Sequence, residues 1–361
     1  MSEPACGRGL VVALQANYCW VELERAGPRD CRRLLCTRRT RLAKSGQIIC
    51  VGDRVGVESI DWPAGRGVIA ALEPRSVLLV RPPVANVSLV VVVVALAEPA
   101  PDPLQLSRFL LTAEATGQAV LLVFSKADLL PEQAVAAWLG RVAAWGYPAL
   151  AVSSQSGSGL DQLRERLSQP GLAVVCGPSG VGKSSLLNGL KPELDLRVAA
   201  VSGRLQRGRH TTRHVELFAL APGALVADSP GFNRPELPGD PAGFGLLFPE
   251  VRRGLQQAAC RFSNCLHLGE PGCAVSSDWE RYGWYVEWVG DLRERAARPE
   301  VHAQGQRAAE PGLRRRGDRL EPRLDQQWRQ PSRRSQRQQA WREGRQEQDG
   351  AEPLSLPDRE D

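Results

Sequence analysis

Residues 172–190 read LAVVC-GPSGVGKS-SLLNGL, and this stretch decides the fold of the chain. An apolar run typical of a buried strand leads into the pattern G-x-x-x-x-G-K-S, and a helix-forming run follows. In such a strand–loop–helix unit the glycines let backbone N–H groups turn toward phosphate oxygens, and the helix N-terminus adds positive potential. The stretch therefore predicts a nucleotide-phosphate site in an α/β domain.

Each side chain of the loop suggests a role. We expect the Lys183 ammonium to hold the β- and γ-phosphates and the Ser184 hydroxyl to ligate Mg²⁺. A chance glycine-rich turn is the alternative, but the flanking strand and helix are those that phosphate binding requires. The residues predicted to contact the nucleotide phosphates are Gly177, Pro178, Ser179, Gly180, Val181, Gly182, Lys183, Ser184 and Ser185.

Two later segments supply further groups for a γ-phosphate site. ALVADSPG at 224–231 ends an apolar run with Asp228, whose carboxylate can hold the Mg²⁺ shell, and the Gly231 N–H can bond the γ-phosphate. GRHTTR at 208–213 is typical of a switch loop, in which a threonine completes the magnesium shell only while the γ-phosphate is present. Thr212 is the first choice for that ligand and Thr211 the second.

A third pattern predicts which base is bound. SKAD follows the apolar run 119–124 and is similar to N-K-x-D, in which the aspartate accepts hydrogen bonds from guanine and the lysine stem packs over the ring. Its residues are Ser125, Lys126, Ala127 and Asp128. The run 149–152 leads to Ser153 and Ser154, like the serine-bearing loop that backs the guanine carbonyl. Together these segments predict that the nucleotide is GTP.

The order of these segments is unusual, because the base patterns precede the phosphate loop, whereas in ordinary GTPases they follow it. The sequence therefore predicts a circularly permuted domain, in which the same sheet forms from a rewired chain. Apolar strands and helical stretches alternate over about 84–253, which predicts a mostly parallel sheet with helices on both faces.

The region before this domain has a different texture. Short apolar runs at 10–14, 18–23, 48–51, 55–57 and 68–72 are separated by turn residues, which favours a small all-β barrel of the oligonucleotide-binding (OB) kind. Tyr18 and Trp20 would either stack on RNA bases or fill the barrel core.

A compact Cys/His cluster lies near the other end of the chain. Zn²⁺ binds thiolates and imidazoles tetrahedrally, and four protein ligands leave no open position for catalysis. We therefore predict a structural zinc that stabilises a small helical module. The alternative is a chance grouping of buried side chains. The predicted ligands are Cys260, Cys265, His267 and Cys273. The nearby Arg252, Arg253 and Arg261 would face RNA or solvent.

Composition argues against several classes of protein. The net charge of +6 comes almost entirely from arginine, since lysine occurs only four times, and favours a polyanionic partner such as RNA. The N-terminus has no secretory pattern, and the most apolar run, 87–97, is too short to span a bilayer. Nine unevenly spread cysteines indicate reduced thiols and a cytoplasmic location rather than a disulfide framework.

Taken together, the permuted motifs, the barrel and the Cys/His cluster resemble the ribosome small-subunit-dependent GTPase family over roughly residues 7–295. The resemblance implies GTP hydrolysis stimulated by the small ribosomal subunit, in late maturation of that subunit through rRNA contacts. We further expect a monomer without DNA or membrane partners. One departure is Ser125, where the family usually has asparagine.

The residue that orients the attacking water is expected in the switch segment. Many GTPases have a glutamine just after D-x-x-G, but this chain has Phe232, whose ring accepts no hydrogen bond from water. His210 is the leading candidate, to which the resemblance also points. Contact with RNA or exposure to solvent is the alternative for this histidine.

We expect four regions: an OB-like β-barrel at 1–78, the permuted P-loop domain at 79–255, a zinc-binding module at 256–297, and a disordered Arg/Gln/Glu-rich tail at 298–361. Two other functions stay open at this point. One is an ATP-dependent P-loop enzyme such as a small-molecule kinase, and the other is a non-enzymatic RNA-binding scaffold with a weak nucleotide site.

Overall fold

The structure is a computed structural model. It describes residues 6–15, 18–44, 47–80, 83–194, 215–228, 237, 239–297, 313–316 and 319–322. The chain divides into two compact units, Met1–Ala296 and Ala297–Asp361. The first unit contains the barrel, the nucleotide-binding sheet and the Cys/His cluster.

The N-terminal strands close into a barrel, which confirms the OB-like prediction. Its strands are β1 (Gly7–Gln15), β2 (Tyr18–Leu23), β3 (Arg33–Arg38), β4 (Arg54–Asp61) and β5 (Arg66–Leu72). Their order is β1-β2-β3-β5-β4, and a β1–β4 pairing closes the ring. Alternate residues such as Val21, Leu34 and Ile69 fill the interior.

Two details of the barrel differ from the sequence prediction. The apolar run at 48–51 is not a strand, because only Val51 pairs, in an isolated bridge with Val84. Strand β3, RLLCTR, is one that the sequence analysis did not predict. Its arginines conceal the alternation in which Leu34 and Cys36 point inward.

Short elements connect the barrel to the next sheet. They are the antiparallel strands β6 (Leu78–Val80) and β7 (Pro83–Ala85), whereas the helix α1 (Thr40–Lys44) lies within the barrel between β3 and β4. A partly buried ion pair stabilises this connection: the Arg75 guanidinium donates to both oxygens of Asp53, at 2.7 and 2.8 Å. Asp53 also accepts from the Cys50 N–H at 2.7 Å.

The central sheet is mostly parallel, as predicted. Its strands are β8 (Leu89–Ala95), β9 (Ala119–Ser125), β10 (Ala149–Ala151), β11 (Gly171–Cys176), β12 (Glu216–Ala221) and β13 (Ala224–Asp228). The order is β10-β9-β8-β11-β13-β12, and β12 alone among them runs antiparallel to its neighbour β13. At the far side β12 pairs with β1, so the sheet continues into the barrel.

Helices cover both faces of this sheet. They are α2 (Pro103–Glu114), α3 (Glu132–Trp145), α4 (Leu160–Leu167) and α5 (Lys183–Leu190). Val90 and Val92 of β8 pack in one cluster with residues of α2 and α3, whereas Val91 and Val93 pack with residues of α4 and α5. Successive side chains of a strand point to opposite faces, so the continuous valine run is the consequence of burial on both sides.

The Cys/His cluster belongs to a small helical module. Its helices are α6 (Pro241–Phe244), α7 (Pro249–Gln257) and α8 (Tyr282–Ala297), and the 3-10 turn Gly245–Leu247 lies between α6 and α7. Phe248, Tyr285 and Trp288 form its core, to which Leu111 of α2 also contributes. The module is therefore packed directly on the nucleotide-binding domain.

The second unit contains an antiparallel pair of strands, β14 (Leu313–Arg316) and β15 (Arg319–Pro322). They lie within the tail for which disorder is predicted; the other residues of the tail lie outside the described ranges. Among the helices that the structure describes, none has the length and apolar character needed to cross a membrane.

Candidate functional site

The phosphate loop connects the end of β11 to the start of α5. Gly177 has a φ of +141°, and a Cβ there would lie 2.0 Å from the Val93 carbonyl oxygen, so only glycine fits. Gly182, with φ +87°, caps α5, and no side chain occupies the cap position. The start of a helix, with its N–H groups and positive end, is the kind of site that holds an anionic ligand such as phosphate.

Lys183 lies folded against its own loop. Its Nζ donates to the carbonyl oxygens of Gly177 at 2.9 Å and Pro178 at 2.8 Å. These bonds hold the ammonium at the mouth of the loop, where a bound phosphate would compete for it. Ser184 and Ser185 follow in the first turn of α5, both half-buried.

The base motif is tied to the phosphate loop by its first residue. Ser125 is buried at the end of β9, and its hydroxyl donates to the Val181 carbonyl at 2.6 Å. Serine is shorter than the asparagine that the resemblance leads one to expect, but its hydroxyl reaches the loop. The departure therefore leaves the connection between the two motifs intact.

The rest of the base motif turns outward from the sheet. Lys126 has a φ of +55°, and its ammonium bonds the Glu98 carbonyl. Asp128 lies in the 3-10 turn Ala127–Leu129 with its side chain exposed to solvent. The Ala127 N–H donates to the Val152 carbonyl at 3.1 Å, which joins this turn to the end of β10.

The two serines of the second base loop differ in role. Ser153 is fully buried, and its hydroxyl accepts the N–H groups of Gln155 at 3.1 Å and Ser156 at 3.0 Å. This side chain therefore shapes the loop. Ser154 is exposed beside it and has the access that a base needs.

The magnesium side of the site is described only in part. Asp228 ends β13, with Glu216 and Val175 as its register partners on the two neighbouring strands. Its side chain lies outside the described residues, as do four predicted groups, which are His210, Thr211, Thr212 and Gly231.

The described motifs lie at one edge of the sheet although they are scattered along the chain. Strands β8, β9, β10, β11 and β13 are parallel, so their carboxyl ends share one edge. The base motif follows β9, the serine loop follows β10, the phosphate loop follows β11, and Asp228 closes β13. Ligands of open α/β sheets bind at this edge, which explains why the order along the chain can be permuted.

The Cys/His cluster is compact and has the geometry of a metal site. The ligand atoms of Cys260, Cys265, His267 and Cys273 all lie within 4.8 Å of one another. The His267 Nδ1 lies 3.6 Å from the Cys260 sulfur and 3.5 Å from the Cys273 sulfur. Backbone N–H groups of Ala274 and Val275 point at two of the sulfurs, at 3.3 and 3.4 Å. Such donors stabilise thiolates.

Glu270 organises the loop that carries these ligands. Its carboxylate accepts from the N–H groups of Leu266 at 3.0 Å and Leu268 at 2.6 Å. Burial by itself would raise the pKa of Glu270, but these backbone hydrogen bonds outweigh it and lower the pKa. Burial lowers the pKa of His267, which favours the neutral imidazole that a metal ion requires.

Sequence reasoning missed the residues that join the module to the sheet. The Arg281 guanidinium is fully buried, with a bidentate pair to Glu250 of α7 and a 3.2 Å hydrogen bond to the Ser107 hydroxyl of α2. Arg252 and Arg253 are also used internally: Arg252 bonds Glu114 at 3.0 Å, and Arg253 bonds the Ala144 carbonyl at 2.7 Å. No local pattern marks these contacts.

The fold and the site define a P-loop GTPase with circularly permuted motifs. The sequence profile of the RsgA GTPase matches residues 72–238. The small ribosomal subunit biogenesis GTPase RsgA of Synechococcus sp. strain CC9605 is 63% identical over 278 residues, which cover 77% of this chain and 91% of that protein. The protein of the same name from strain CC9311 is 60% identical over 292 residues, 81% and 96% of the two chains.

Two solved structures have the same fold. The crystal structure of YjeQ from Thermotoga maritima aligns with a TM-score of 0.66 and 31% identity, over 80% of this chain and 99% of that one. YloQ, described as a circularly permuted GTPase, aligns with a TM-score of 0.65 and 28% identity, over 81% and 96%. This chain belongs to the RsgA GTPase family, which confirms the resemblance drawn from its motifs.

Proposed function

We propose that the chain hydrolyses GTP to GDP and phosphate in a reaction stimulated by the small ribosomal subunit, in late maturation of that subunit. The observation that carries the nucleotide part is the gathering of the base motif, the phosphate loop and Asp228 at one sheet edge. The names of the Synechococcus relatives, small ribosomal subunit biogenesis GTPases, support the partner.

The nucleotide lies along the carboxyl edge in this proposal. Asp128 accepts hydrogen bonds from guanine, the Lys126 stem covers the ring, and the backbone beside Ser153 and Ser154 backs the guanine carbonyl. The N–H groups of the loop 177–182 and the start of α5, through Ser185, hold the phosphates. Lys183 exchanges its carbonyl partners for the β- and γ-phosphate oxygens.

Mg²⁺ bound with the nucleotide would supply neutralisation of the charge that develops on the transferred phosphoryl group. Ser184, Asp228 and Thr212 are the residues that we propose would hold it, with Thr211 as the second choice for the threonine, and the Gly231 N–H would bond the γ-phosphate. His210 orients the attacking water, since Phe232 has no group that can do so. Ser184 supports this assignment by its position in the first turn of α5, directly after the loop lysine.

We assign the Cys/His cluster to a structural Zn²⁺. Three sulfurs and one imidazole nitrogen within 4.8 Å of one another form a set that zinc accepts tetrahedrally. Four protein ligands leave no position for substrate, so the ion stabilises the module and takes no part in hydrolysis. The module core is small, and a metal supplies the stability that it lacks.

The remaining assignments follow from the same proposal. The barrel and the zinc module contact rRNA, and the net charge of +6 favours such a polyanionic partner. We place the protein in the bacterial cytoplasm as a monomer, without DNA or membrane partners. The division into barrel 1–78, GTPase 79–255, zinc module 256–297 and tail 298–361 stays a prediction, and because α6 and α7 share a core with α8 we extend the helical module back to Pro241.

Phosphate release from GTP and from ATP, with and without purified small subunits, tests the proposal, with Lys183→Ala as the blank. We expect the protein to hydrolyse GTP but not ATP, and small subunits to stimulate the hydrolysis of GTP strongly. Turnover that subunits do not change would refute the ribosomal part. Hydrolysis of ATP as fast as GTP would favour an ATP-dependent enzyme, and absence of turnover would favour a binding scaffold. Asp128→Asn should relax the preference for guanine only if the base motif acts as proposed.

A further inference from the structure

Strand β1 belongs to two hydrophobic cores at once. Val11 packs inside the barrel, whereas its neighbour Val12 packs in the cluster that lies between the central sheet and helices α2 and α3. Val215 and Leu217, which flank the first residue of β12, are buried in that same cluster. The barrel therefore shares a packed core with the nucleotide-binding sheet, and a displacement of β1 must also shift the start of β12.

The backbone register carries this contact to the nucleotide site. Ala13 of β1 pairs with Glu216, Glu216 pairs with Asp228, and Asp228 pairs with Val175. These residues form one row across four strands, from the barrel to the strand that precedes the phosphate loop. Glu216 also lies four positions after Thr212 in the sequence, so β12 begins shortly after the segment proposed to sense the γ-phosphate.

A side-chain contact reinforces the row where the barrel meets the sheet. The Arg33 guanidinium of β3 donates to the Glu216 carboxylate at 3.1 Å. The same guanidinium lies over the Trp20 ring of β2, 4.9 Å from its centroid. Trp20 packs against the core of the nucleotide-binding domain rather than presenting a free face to RNA. Trp20 and Glu216 therefore both contact the Arg33 guanidinium.

We propose that Arg33 and Glu216 are positioning residues through which the barrel, when bound to RNA, acts on GTP hydrolysis. Arg33 positions the start of β12 relative to the barrel, and Glu216 at that start pairs in register with Asp228 of β13. Binding of the barrel to rRNA is thereby transmitted along the row to the hydrolytic site. This inference rests on the proposed stimulation by the ribosomal subunit and names its route through the protein.

If Arg33 acts in this way, its loss should reduce the stimulation of hydrolysis without weakening subunit binding, and the two effects can be measured separately. In the full-length protein, we expect Arg33→Gln to leave turnover without subunits within twofold of the wild type. The subunit concentration for half-maximal stimulation should also stay within twofold. The maximal stimulated rate should fall about three- to tenfold, the factor expected on losing a surface ion pair and a cation–π contact. Glu216→Gln should behave in the same way, and the exchange Arg33→Glu with Glu216→Arg should recover at least half of the loss.

A matched ion pair within the barrel provides the control. Arg39 bonds Glu58 at 2.7 Å, and the two side chains are 58% and 42% exposed, compared with 50% and 45% for Arg33 and Glu216. Arg39→Gln removes the same charge from the same region without touching β12, so its maximal stimulated rate should match that of the wild type.

Several outcomes would overturn the inference. If Arg33→Gln weakens subunit binding at an unchanged maximal rate, Arg33 is merely an RNA contact. If it raises turnover without subunits, the pair restrains the site instead of transmitting binding, and if nothing changes, the route lies elsewhere. Wild-type turnover that subunits do not stimulate would refute the proposed function together with this inference, whereas equal stimulation of the wild type and the Arg33 variant would refute the inference alone.

Discussion

Replacing Arg281 by methionine should strongly destabilise the protein, because the guanidinium lies at the joint between the helical module and the nucleotide-binding domain. Its side chain is 0% exposed and that of its partner Glu250 is 5% exposed. It also reaches the Ser107 hydroxyl and lies over the rings of Trp145 and Phe248, 4.9 Å from each centroid. Methionine restores most of the volume but none of the charge.

The magnitude follows from the charge that remains. Removing one partner of a buried ion pair leaves the other buried and uncompensated, which costs about 3–5 kcal/mol. Changing both partners to apolar residues of similar size is often nearly neutral. We therefore expect Arg281→Met to lower the free energy of unfolding by about 3–5 kcal/mol, and the double variant Arg281→Met/Glu250→Met to recover most of that loss.

Urea unfolding followed by tryptophan fluorescence measures this effect, with zinc added to every sample so that the proposed metal site is in the same state in all variants. The exposed pair of Arg141 with Glu280 is the control, since its side chains are 35% and 39% exposed. Arg141→Gln should cost at most about 1 kcal/mol. A loss below about 1 kcal/mol in Arg281→Met, or a double variant no more stable than the single one, would refute the reasoning.

Four further predictions concern the site and its support. Ser125→Ala should raise the Kd for GTP about five- to tenfold by leaving the Val181 carbonyl without its donor, as titration calorimetry would reveal; an unchanged Kd would contradict the tie between the two motifs. His210→Ala should retain GTP binding but lose most of the subunit-stimulated phosphate release, and wild-type release would remove His210 from catalysis. Cys265→Ser should abolish stoichiometric zinc in metal analysis and lower the melting temperature; full zinc content would disprove the ligand set. Hydrogen bonds from Arg141 and Trp145 outweigh burial and lower the pKa of Glu280 from its ordinary 4.5, so this carboxylate stabilises the fold above that pH and loses the effect as pH falls through its folded-state pKa. Glu280→Gln should therefore be less stable than the wild type at neutral pH, and the difference in urea midpoints should shrink below pH 4.5; a gap that persists in acid would mean that the charge is irrelevant.

The sequence determined the parts of the protein whose chemistry is local. A phosphate loop needs only consecutive backbone N–H groups at the start of a helix, so residues 177–184 predict it without any distant partner. The Cys/His cluster is similar, since its four residues fall within fourteen positions of the chain. Apolar runs likewise revealed the parallel strands of the central sheet, because a strand buried on both faces must be apolar throughout, but they did not reveal the antiparallel strand β12. The permuted order of the motifs could be recognised from the sequence because the carboxyl ends of parallel strands lie at one edge of the sheet, whatever the order of the strands along the chain.

Tertiary structure alone decided the contacts between segments that are distant in sequence. The Ser125 hydroxyl meets the Val181 carbonyl 56 positions away, and Arg281 reaches Ser107 across 174 positions. The sequence around each residue does not indicate its partner. A serine or an arginine is ordinarily a surface residue and is buried only where a hydrogen-bonding partner is available. Strand β3 was missed because its arginines interrupt the apolar pattern of the segment. Arg33 meets the Trp20 ring only in the folded barrel, so the sequence gives no sign of this contact. The sequence specifies which groups can do the chemistry, and the packing of remote segments decides how those groups are held together.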